Sequence, residues 1–600
     1  VKSLTELWKR VLTELGTQCA VSTTRDLQTV TSRIEHEGLS FLTITLPAFG
    51  KDFQKSLDLG WVAHDRFAGF KRHGGLPRFL GGFLERVFDR GTGRLLEFPC
   101  VDSIFAIRQL TLMMEKIEMD CSSERNSRAI QRYLECESDV RETDRTISPD
   151  LLSEFKRMSV LLFGDVLSHL DRLVDRGELQ PRHGPGATAD RLRGNAKFDL
   201  AEWTTRMEYI FPYGEYALPS WRYYYRLERV DFREPGRERP VRVTLVPKTL
   251  KTPRIIAIEP TCMQYMQQAL MEKMVESLET DVTVSGMVGF LDQSINQDMA
   301  KKGSEDRSLA TLDLSEASDR VSNQHVRLLC KGFPHLDEAV QATRSRKADV
   351  PGKGIIRLAK FASMGSALCF PVEAMVFTTI AFLGIQEAHR RRLTRYDIKS
   401  YSGRVRVYGD DIIVPVETLQ SVIAFLEAFG LKVNGDKTFG SGRFRESCGR
   451  DYYDGVDVTP VRVRQVLPSS RSAVREVISV VSLRNRLYER GLWQTAAWLD
   501  PRISRLLRGK YPRVAASSPV LGRLSFLGYY TEKSHVSLHS PRVEGYVITA
   551  PSPRSLVSGE GALLKWFLKR GNEPFADRDH LERAGRPDAV SIKLRWASPF

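Results

Sequence analysis

The stretch RVRVYGDDIIVPV, residues 404–416, constrains the fold more than any other part of this chain. Two β-branched runs, Val405–Tyr408 and Ile412–Val416, flank Gly409-Asp410-Asp411. Such a pattern predicts a tight hairpin with acidic residues at its tip. Adjacent carboxylates repel, and one tends to stay protonated unless a cation is shared between them. Hard carboxylate oxygens suit magnesium. An ordinary Asp-bearing β-turn also accounts for Gly-Asp taken alone.

A second acid stands in SLATLDLSEASDRVS, residues 308–322. Asp313 closes a short apolar strand, Leu309–Leu312, and Ser315 is expected to cap a helix running through Leu329. A strand end is a rigid mount for a ligand; a helix N-terminal acid held by the helix dipole is the plainer role for Asp313. Asp319, six residues on, is a candidate site acid, with a solvated helix acid or a partner of Arg320 as the alternative. One acid at a strand end and two at a hairpin tip can hold a pair of divalent ions, the arrangement that serves phosphoryl transfer.

The charge balance agrees with a polyanionic partner. Lys and Arg number 89 against 74 Asp and Glu, a formal net charge of +15. Nucleic acid is the first candidate, and an acidic membrane surface is the other. Eight scattered cysteines form no CxxC pair, which argues against a zinc ribbon and for free thiols in a reducing, intracellular setting. The opening VKSLTELWKRVLTELG has an amphipathic helical pattern unlike a signal peptide, and no apolar run long enough to span a membrane is expected. No Walker A sequence is present.

Three zones follow from the patterning. The first 180 residues are expected to be mainly helical, with His183-Gly184-Pro185-Gly186 a turn in which His183 is structural. Residues 230–260 alternate β-branched and basic residues, predicting strands that carry cations. Residues 261–300 start helical and become loop-like; 309–463 mix short strands with long helices, including an apolar one over Ser366–Glu387 with Pro371 in its first turns. From about Ser470 the chain is expected to be helical and very basic, with Arg502, Arg505, Arg508, Lys510 and Arg513 close together.

In order, the stretches VPKTLKTPRIIAIEP, DQSINQ, LATLDLSEASDRVS, SMG before a long helix, VYGDDIIVP, KTF and FRESCGRDYYDGVDVTP resemble viral RNA-directed RNA polymerases. The resemblance is closest to the replicase catalytic subunit of the single-stranded RNA bacteriophages, the levivirus group. It covers roughly residues 240–465. Two departures stand out. Asp319 lies six residues from Asp313, where the family spaces five, and SMGSALCFPVE replaces a glycine-and-aromatic segment, MGNG followed by an FELE-like run.

The resemblance implies an α+β fold, a right-hand polymerase with fingers, palm and thumb, the palm an antiparallel sheet packed on helices. Its expected layout is 1–235 as an N-terminal helical region and part of the fingers, and 236–308 as fingers with the basic nucleotide motif. The palm is then 309–467, with a fingers-like insertion at about 330–360, and the thumb 468–600, basic and helical. It implies magnesium, two ions with manganese as a substitute, held by Asp313, Asp410, Asp411 and the Leu314 carbonyl. Lys437 would protonate the leaving pyrophosphate. Lys248, Lys251, Arg254, Asp319, Ser363 and Gly365 would bind the nucleotide. The expected activity copies a phage RNA genome from ribonucleoside triphosphates, in the cytoplasm of an infected bacterium, without a membrane. Expected partners are template and product RNA and, from the host, elongation factors Tu and Ts, a ribosomal small-subunit protein and an RNA-chaperone host factor. A reverse transcriptase, or a basic RNA-binding protein without enzymatic activity, are the alternatives; the first is separated by ribonucleotide against deoxyribonucleotide use, the second by its having no need of paired acids.

Overall fold

The computed structural model describes residues 2–184, 186–549, 558–570 and 590–600. Pro185, within the expected turn, lies outside them; His183 itself is half-buried and stacks against the Tyr265 ring, with centroids 4.7 Å apart. The architecture is α+β. Along the chain, β1 (Val241–Val246) and β2 (Arg254–Ile258) form a hairpin, and β3 (Leu309–Ser315) stands alone. A second hairpin joins β4 (Lys347–Val350) to β5 (Gly354–Arg357), and a third joins β6 (Arg406–Tyr408) to β7 (Asp411–Pro415). After β8 (Lys432–Val433) comes a meander of β9 (Phe444–Ser447), β10 (Arg450–Tyr453) and β11 (Val456–Asp457).

The central sheet has the order β6-β7-β3-β8, all antiparallel. A second sheet, β2-β1-β4-β5, draws the basic 241–258 hairpin together with residues 347–357 through a parallel β1–β4 pairing. Behind the central sheet lies the helix Cys369–His389, apolar on all sides and buried along most of its length. Pro371 sits in its first turn, where no intrahelical N–H partner is lost. By length and composition this helix could cross a membrane, contrary to the expectation from the sequence that no segment could; most of it is buried inside the protein. It packs with Pro149–Asp175 and Leu419–Ala428 in one large apolar core.

Some expectations need correction. Ser315 does not cap a helix: it is still paired with Lys432 in the sheet, and the chain then turns through Glu316 at φ +56°. The helix there is short, Asn323–Cys330, and its cap is Ser322, whose hydroxyl accepts from the Gln324 N–H at 3.0 Å. The end of the 261–300 stretch, expected to become loop-like, is helical from residue 294, within Ser294–Asp306. Past the helices Val474–Glu489 and Trp493–Leu506 the chain is not helical throughout, since Pro541–Thr549 pairs antiparallel with Ser591–Ala597.

The N-terminal helices do not form a unit with residues 155–218. Leu4 to Ile117 share a core with Phe439 to Tyr546, whereas 155–218 belong to the core of the central sheet. Polar contacts reinforce the first grouping. The Glu14 carboxylate caps the N-terminus of Trp493–Leu506, accepting from the Gln494 and Thr495 N–H groups at 2.7 and 2.8 Å. Asp58 Oδ1 accepts from three successive backbone N–H groups, Gly440, Ser441 and Gly442, at 2.9–3.0 Å, fixing the loop between β8 and β9.

Candidate active site

The β6–β7 hairpin closes through Gly409-Asp410, with Tyr408 opposite Asp411. Gly409 has φ +59°, and a Cβ there would stand 2.4 Å from the Phe370 ring, so both backbone conformation and space demand glycine. On its other edge β7 pairs with β3 in a register that sets Asp411 directly opposite Asp313. Thr311 and Asp313 turn their main-chain groups the other way, to Phe439 and to the Asn434 N–H. Asp313 and Asp411 are therefore a non-hydrogen-bonded pair, the kind whose α-carbons approach to about 4.5 Å with side chains on one face. The same alternation turns the Leu314 carbonyl toward the Gly409-Asp410 side.

Two carboxylates directly opposed across strands are destabilising without a cation. Lys437 supplies one positive charge, its Nζ 3.1 Å from Asp313 Oδ1 and 3.9 Å from Glu446 Oε1. Asn434 Nδ2 donates to Asp313 Oδ2 at 2.9 Å. The electrostatics register the surplus of acids. Burial, then Asp410, Glu446 and Asp313, push the Asp411 carboxyl up to about 7. Burial also raises Asp313, although Lys437 opposes it. Burial alone would lower the Lys437 ammonium, but Glu446 and Asp313 outweigh it and hold the group charged. Cys448, beside Asp411, is kept a neutral thiol, pushed up to about 12 by burial and the Asp411 charge. Among the described residues no three carboxylate, imidazole or thiol groups already converge as a metal cage.

Lys248, two residues past the end of β1, is exposed and lies within electrostatic range of this cluster. Its ammonium is lowered by the protein around it and by Arg254 and Lys437, while Asp410 and Asp313 act the other way. Arg254 begins β2 and is exposed; Lys251 is exposed in the connecting loop. The SMG segment is fastened to the same hairpin. The Ala257 N–H donates to the Met364 carbonyl at 2.9 Å, and Gly365, at φ +133°, lies so close that a Cβ would meet the Ala257 oxygen at 2.0 Å.

Asp319 is not the partner of Arg320, which pairs with Asp139 and Glu316 at 3.0 and 2.9 Å. Its Oδ1 accepts from Lys360 Nζ at 3.2 Å and from Ser363 Oγ at 2.7 Å. The structure thus brings Asp313, Asp410, Asp411, Lys437 and Lys248 into one cluster and joins Asp319 to Ser363.

Residues 230–520 match the family described as RNA replicase, beta-chain. The chain resembles the replicase beta chains of phages. It is 34% identical over 264 residues to the RNA-directed RNA polymerase beta chain of Enterobacteria phage fr, covering 44% of this chain and 43% of that one. Against the RNA-directed RNA polymerase subunit beta of Qbeta virus strain MX1 the identity is 36% over 262 residues, 43% of this chain and 40% of the other. With Enterobacteria phage SP it is 30% over 391 residues, 62% and 61% of the two chains. The chain therefore spans about two fifths of the length of the first two relatives. The solved BmCPV RNA-dependent RNA polymerase in its elongation state aligns at 10% identity with a TM-score of 0.36, over 57% of this chain and 33% of that one, too loose a likeness to bear on the fold.

Within the replicase-like segment three further residues join the site that sequence patterning did not single out. Glu446, on β9, is a fourth acid beside Lys437. Glu373, on the apolar helix, accepts from Ser318 Oγ at 2.5 Å; burial and then nearby acids, Asp410 among them, push it up to about 8. Lys360 holds Asp319. Glu373 and Lys360 are each a lone charge inside an apolar run, CFPVEAMV and LAKFASM, and that interruption was the available signal; Glu446, next to Arg445 in FRES, carried no such signal.

Proposed function

We propose that this chain is an RNA-directed RNA polymerase that copies a single-stranded RNA phage genome from ribonucleoside triphosphates. The observation that carries the proposal is the direct opposition of Asp313 and Asp411 across β3 and β7, with Asp410 at the adjoining turn and two lysines at its edge. A structural ion-pair network would balance its charges; this one leaves an acid excess that suits divalent cations. Asp313, Asp410 and Asp411, with the Leu314 carbonyl, would hold two magnesium ions, or manganese in their place. When bound, such ions stabilise the charge that develops on the transferred phosphoryl group.

This chain's own residues supply the rest. The 3′-hydroxyl of the growing strand loses its proton to water as its oxygen bonds to the α-phosphorus, and the bond from that phosphorus to the oxygen bridging to the β-phosphorus breaks. Lys437, held charged among Asp313 and Glu446, gives a proton to the departing pyrophosphate. Lys248, Lys251 and Arg254 place positive charge along the triphosphate. Gly365 lets the SMG loop lie against the same hairpin. Asp319 and Ser363 accept and orient the ribose 2′-hydroxyl.

In this proposal residues 309–467 are the palm, 236–308 and an insertion at about 330–360 the fingers, 468–600 the thumb, and 1–235 an N-terminal region and part of the fingers. The β1–β4 pairing supports joining 236–308 to the insertion. The exposed Arg502, Arg505 and Arg508 suit a salt-sensitive grip on an RNA backbone. Host elongation factors Tu and Ts, a ribosomal small-subunit protein and an RNA-chaperone host factor are proposed partners on the strength of the resemblance, and the infected bacterial cytoplasm is the proposed setting.

Incorporation of labelled ribonucleotides on an RNA template, with and without host extract, tests the proposal. Preference for deoxyribonucleotides would point to a reverse transcriptase, and RNA binding without incorporation in either condition would leave only a binding protein. Two variants probe the nucleotide side. Arg254→Ala should raise the apparent KM for one ribonucleotide several-fold with little change in RNA affinity; an unchanged KM and kcat would remove Arg254 from the site. Asp319→Ala should reduce ribose preference. Leaving a buried polar partner unmatched costs about 1–3 kcal/mol, so the kcat/KM ratio of ribonucleotide to 2′-deoxynucleotide should fall by about 5- to 150-fold. An intact ratio would reduce Asp319 to a structural acid.

A further inference from the structure

The Lys360 ammonium is fully buried. A charge so placed must be paired, and it has three neighbours. Nζ lies 3.2 Å from Asp319 Oδ1, 3.9 Å from Glu137 Oε2 and 3.7 Å from the centre of the Tyr133 ring. Two of these, Tyr133 and Glu137, come from the helix Ser123–Thr146, more than 180 residues before Asp319 in sequence. The same helix touches the Asp319 backbone, since Cys136 Sγ donates to the Asp319 carbonyl at 3.4 Å.

The hydrogen bonds around Asp319 have only one consistent direction. Ser363 Oγ donates its single proton to Asp319 Oδ1 at 2.7 Å. The contact between Tyr133 Oη and Ser363 Oγ, 3.2 Å, must therefore run from the tyrosine to the serine. Lys360 donates to the same Oδ1. Among the described residues nothing donates to Oδ2, while the Asp319 side chain remains 21% exposed. One carboxylate oxygen is doubly held and the other is left to accept.

We propose that Lys360 and Tyr133 are positioning residues for ribose selection: together with Ser363 they clamp Asp319 by Oδ1 and leave Oδ2 as the acceptor for the nucleotide 2′-hydroxyl. The inference rests on the assignment of Asp319 to the ribose and adds what holds it there. The buried ammonium and the serine hydroxyl together fix where Oδ1 points. The helix Ser123–Thr146 thereby takes part in nucleotide choice through Asp319. A clamp of this kind acts only on a substrate that carries the hydroxyl. Removing it should slow ribonucleotide use and leave 2′-deoxynucleotide use nearly unchanged, whereas general loosening of the fold would depress both.

The experiment compares kcat/KM for a ribonucleotide and its 2′-deoxy counterpart in the full chain, with melting temperature measured alongside. Lys360→Met, close in length and neutral, should lower the ratio by about tenfold or more, and Tyr133→Phe, which keeps the ring over Lys360 but removes the hydroxyl, by about threefold. A folded Lys360→Met with an unchanged ratio overturns the clamp. If that variant does not fold, Tyr133→Phe decides by the same ratio, and no change there overturns it. Asp319→Ala measured in parallel separates the two ideas. Loss of discrimination in Asp319→Ala with none in Lys360→Met sinks the clamp alone, whereas no loss in either sinks the ribose assignment as well.

Discussion

Asp410→Asn and Asp313→Asn should each leave a folded protein that incorporates ribonucleotides several hundredfold more slowly or not at all. Asparagine keeps the shape of the side chain and offers one neutral oxygen, so neither the β6–β7 turn nor the β3–β7 register has reason to change. What is lost is a negative charge facing the proposed ions. A deficit of about 3–4 kcal/mol in transition-state stabilisation corresponds to several hundredfold in rate. For Asp410→Asn stability should move in the opposite direction. Asp410 is one of the charges that push Asp411 up to about 7, so its neutralisation relieves repulsion in the metal-free protein. Asp411→Asn should cost less activity, because Asp411 is half-buried beside Cys448 and Glu446, whereas Asp410 stands exposed at the tip. Magnesium titration of incorporation by each variant is the measurement. Near-normal rates at unchanged magnesium demand in Asp313→Asn or Asp410→Asn would refute the metal assignment and the polymerase proposal with it.

The largest effect on stability is expected at Arg108. Its guanidinium is fully buried and lies 2.5 Å from Asp451 Oδ2, which is itself buried on β10. Nε donates to the Val458 carbonyl at 3.0 Å, and the cation lies 4.7 Å from the centre of the Phe444 ring on β9. Arg108→Ala deletes all of these and strands Asp451 without its cation, a change that typically costs about 3–5 kcal/mol. Because Phe444 and Glu446 share β9, the damage should also reach Lys437. Urea unfolding would show the drop in midpoint. The double variant Arg108→Met with Asp451→Asn should recover part of it, because a neutral pair no longer needs burial of a lone charge. A single variant within about 0.5 kcal/mol of the parent would show that the pair contributes nothing to stability.

The hairpin at 404–416 was legible because its signals are local. β-branched alternation and a two-residue Gly-Asp turn depend on neighbours in sequence, and the same holds for the strand ending at Asp313. Lys437 and Lys248 could be named as candidates by likeness to a family; their approach to the acids depends on the sheet order β6-β7-β3-β8, which no local pattern encodes. Lys360 was hidden for a related reason. A lysine between apolar residues has no meaning until a helix some 220 residues earlier supplies Glu137 and Tyr133. At Ser315 a capping signal lost to sheet pairing, since Lys432 extends the ladder past the position where a helix would begin. In Pro541–Thr549 the alternation of Val543, Gly545 and Val547 marks a strand, but the helical expectation for the whole region rests on the basic cluster at Arg502–Arg513, some 30 residues upstream.

The Glu14 contact with Gln494 and Thr495 spans 480 residues or more of chain. During synthesis the first helix leaves the ribosome long before its binding partner exists. At about 5–20 residues per second, the interval is roughly half a minute to a minute and a half. Throughout it Leu4, Leu7, Trp8 and Val11, all buried in the finished molecule, lack the part of their core that comes from residues after 438. Pulse proteolysis of ribosome-bound chains ending before Leu492 should find this helix readily cleaved, and chains extending past Leu507 should find it protected. In the nascent chain this helix is thus an apolar surface in waiting, open for that interval to whatever binds nascent chains in the cell.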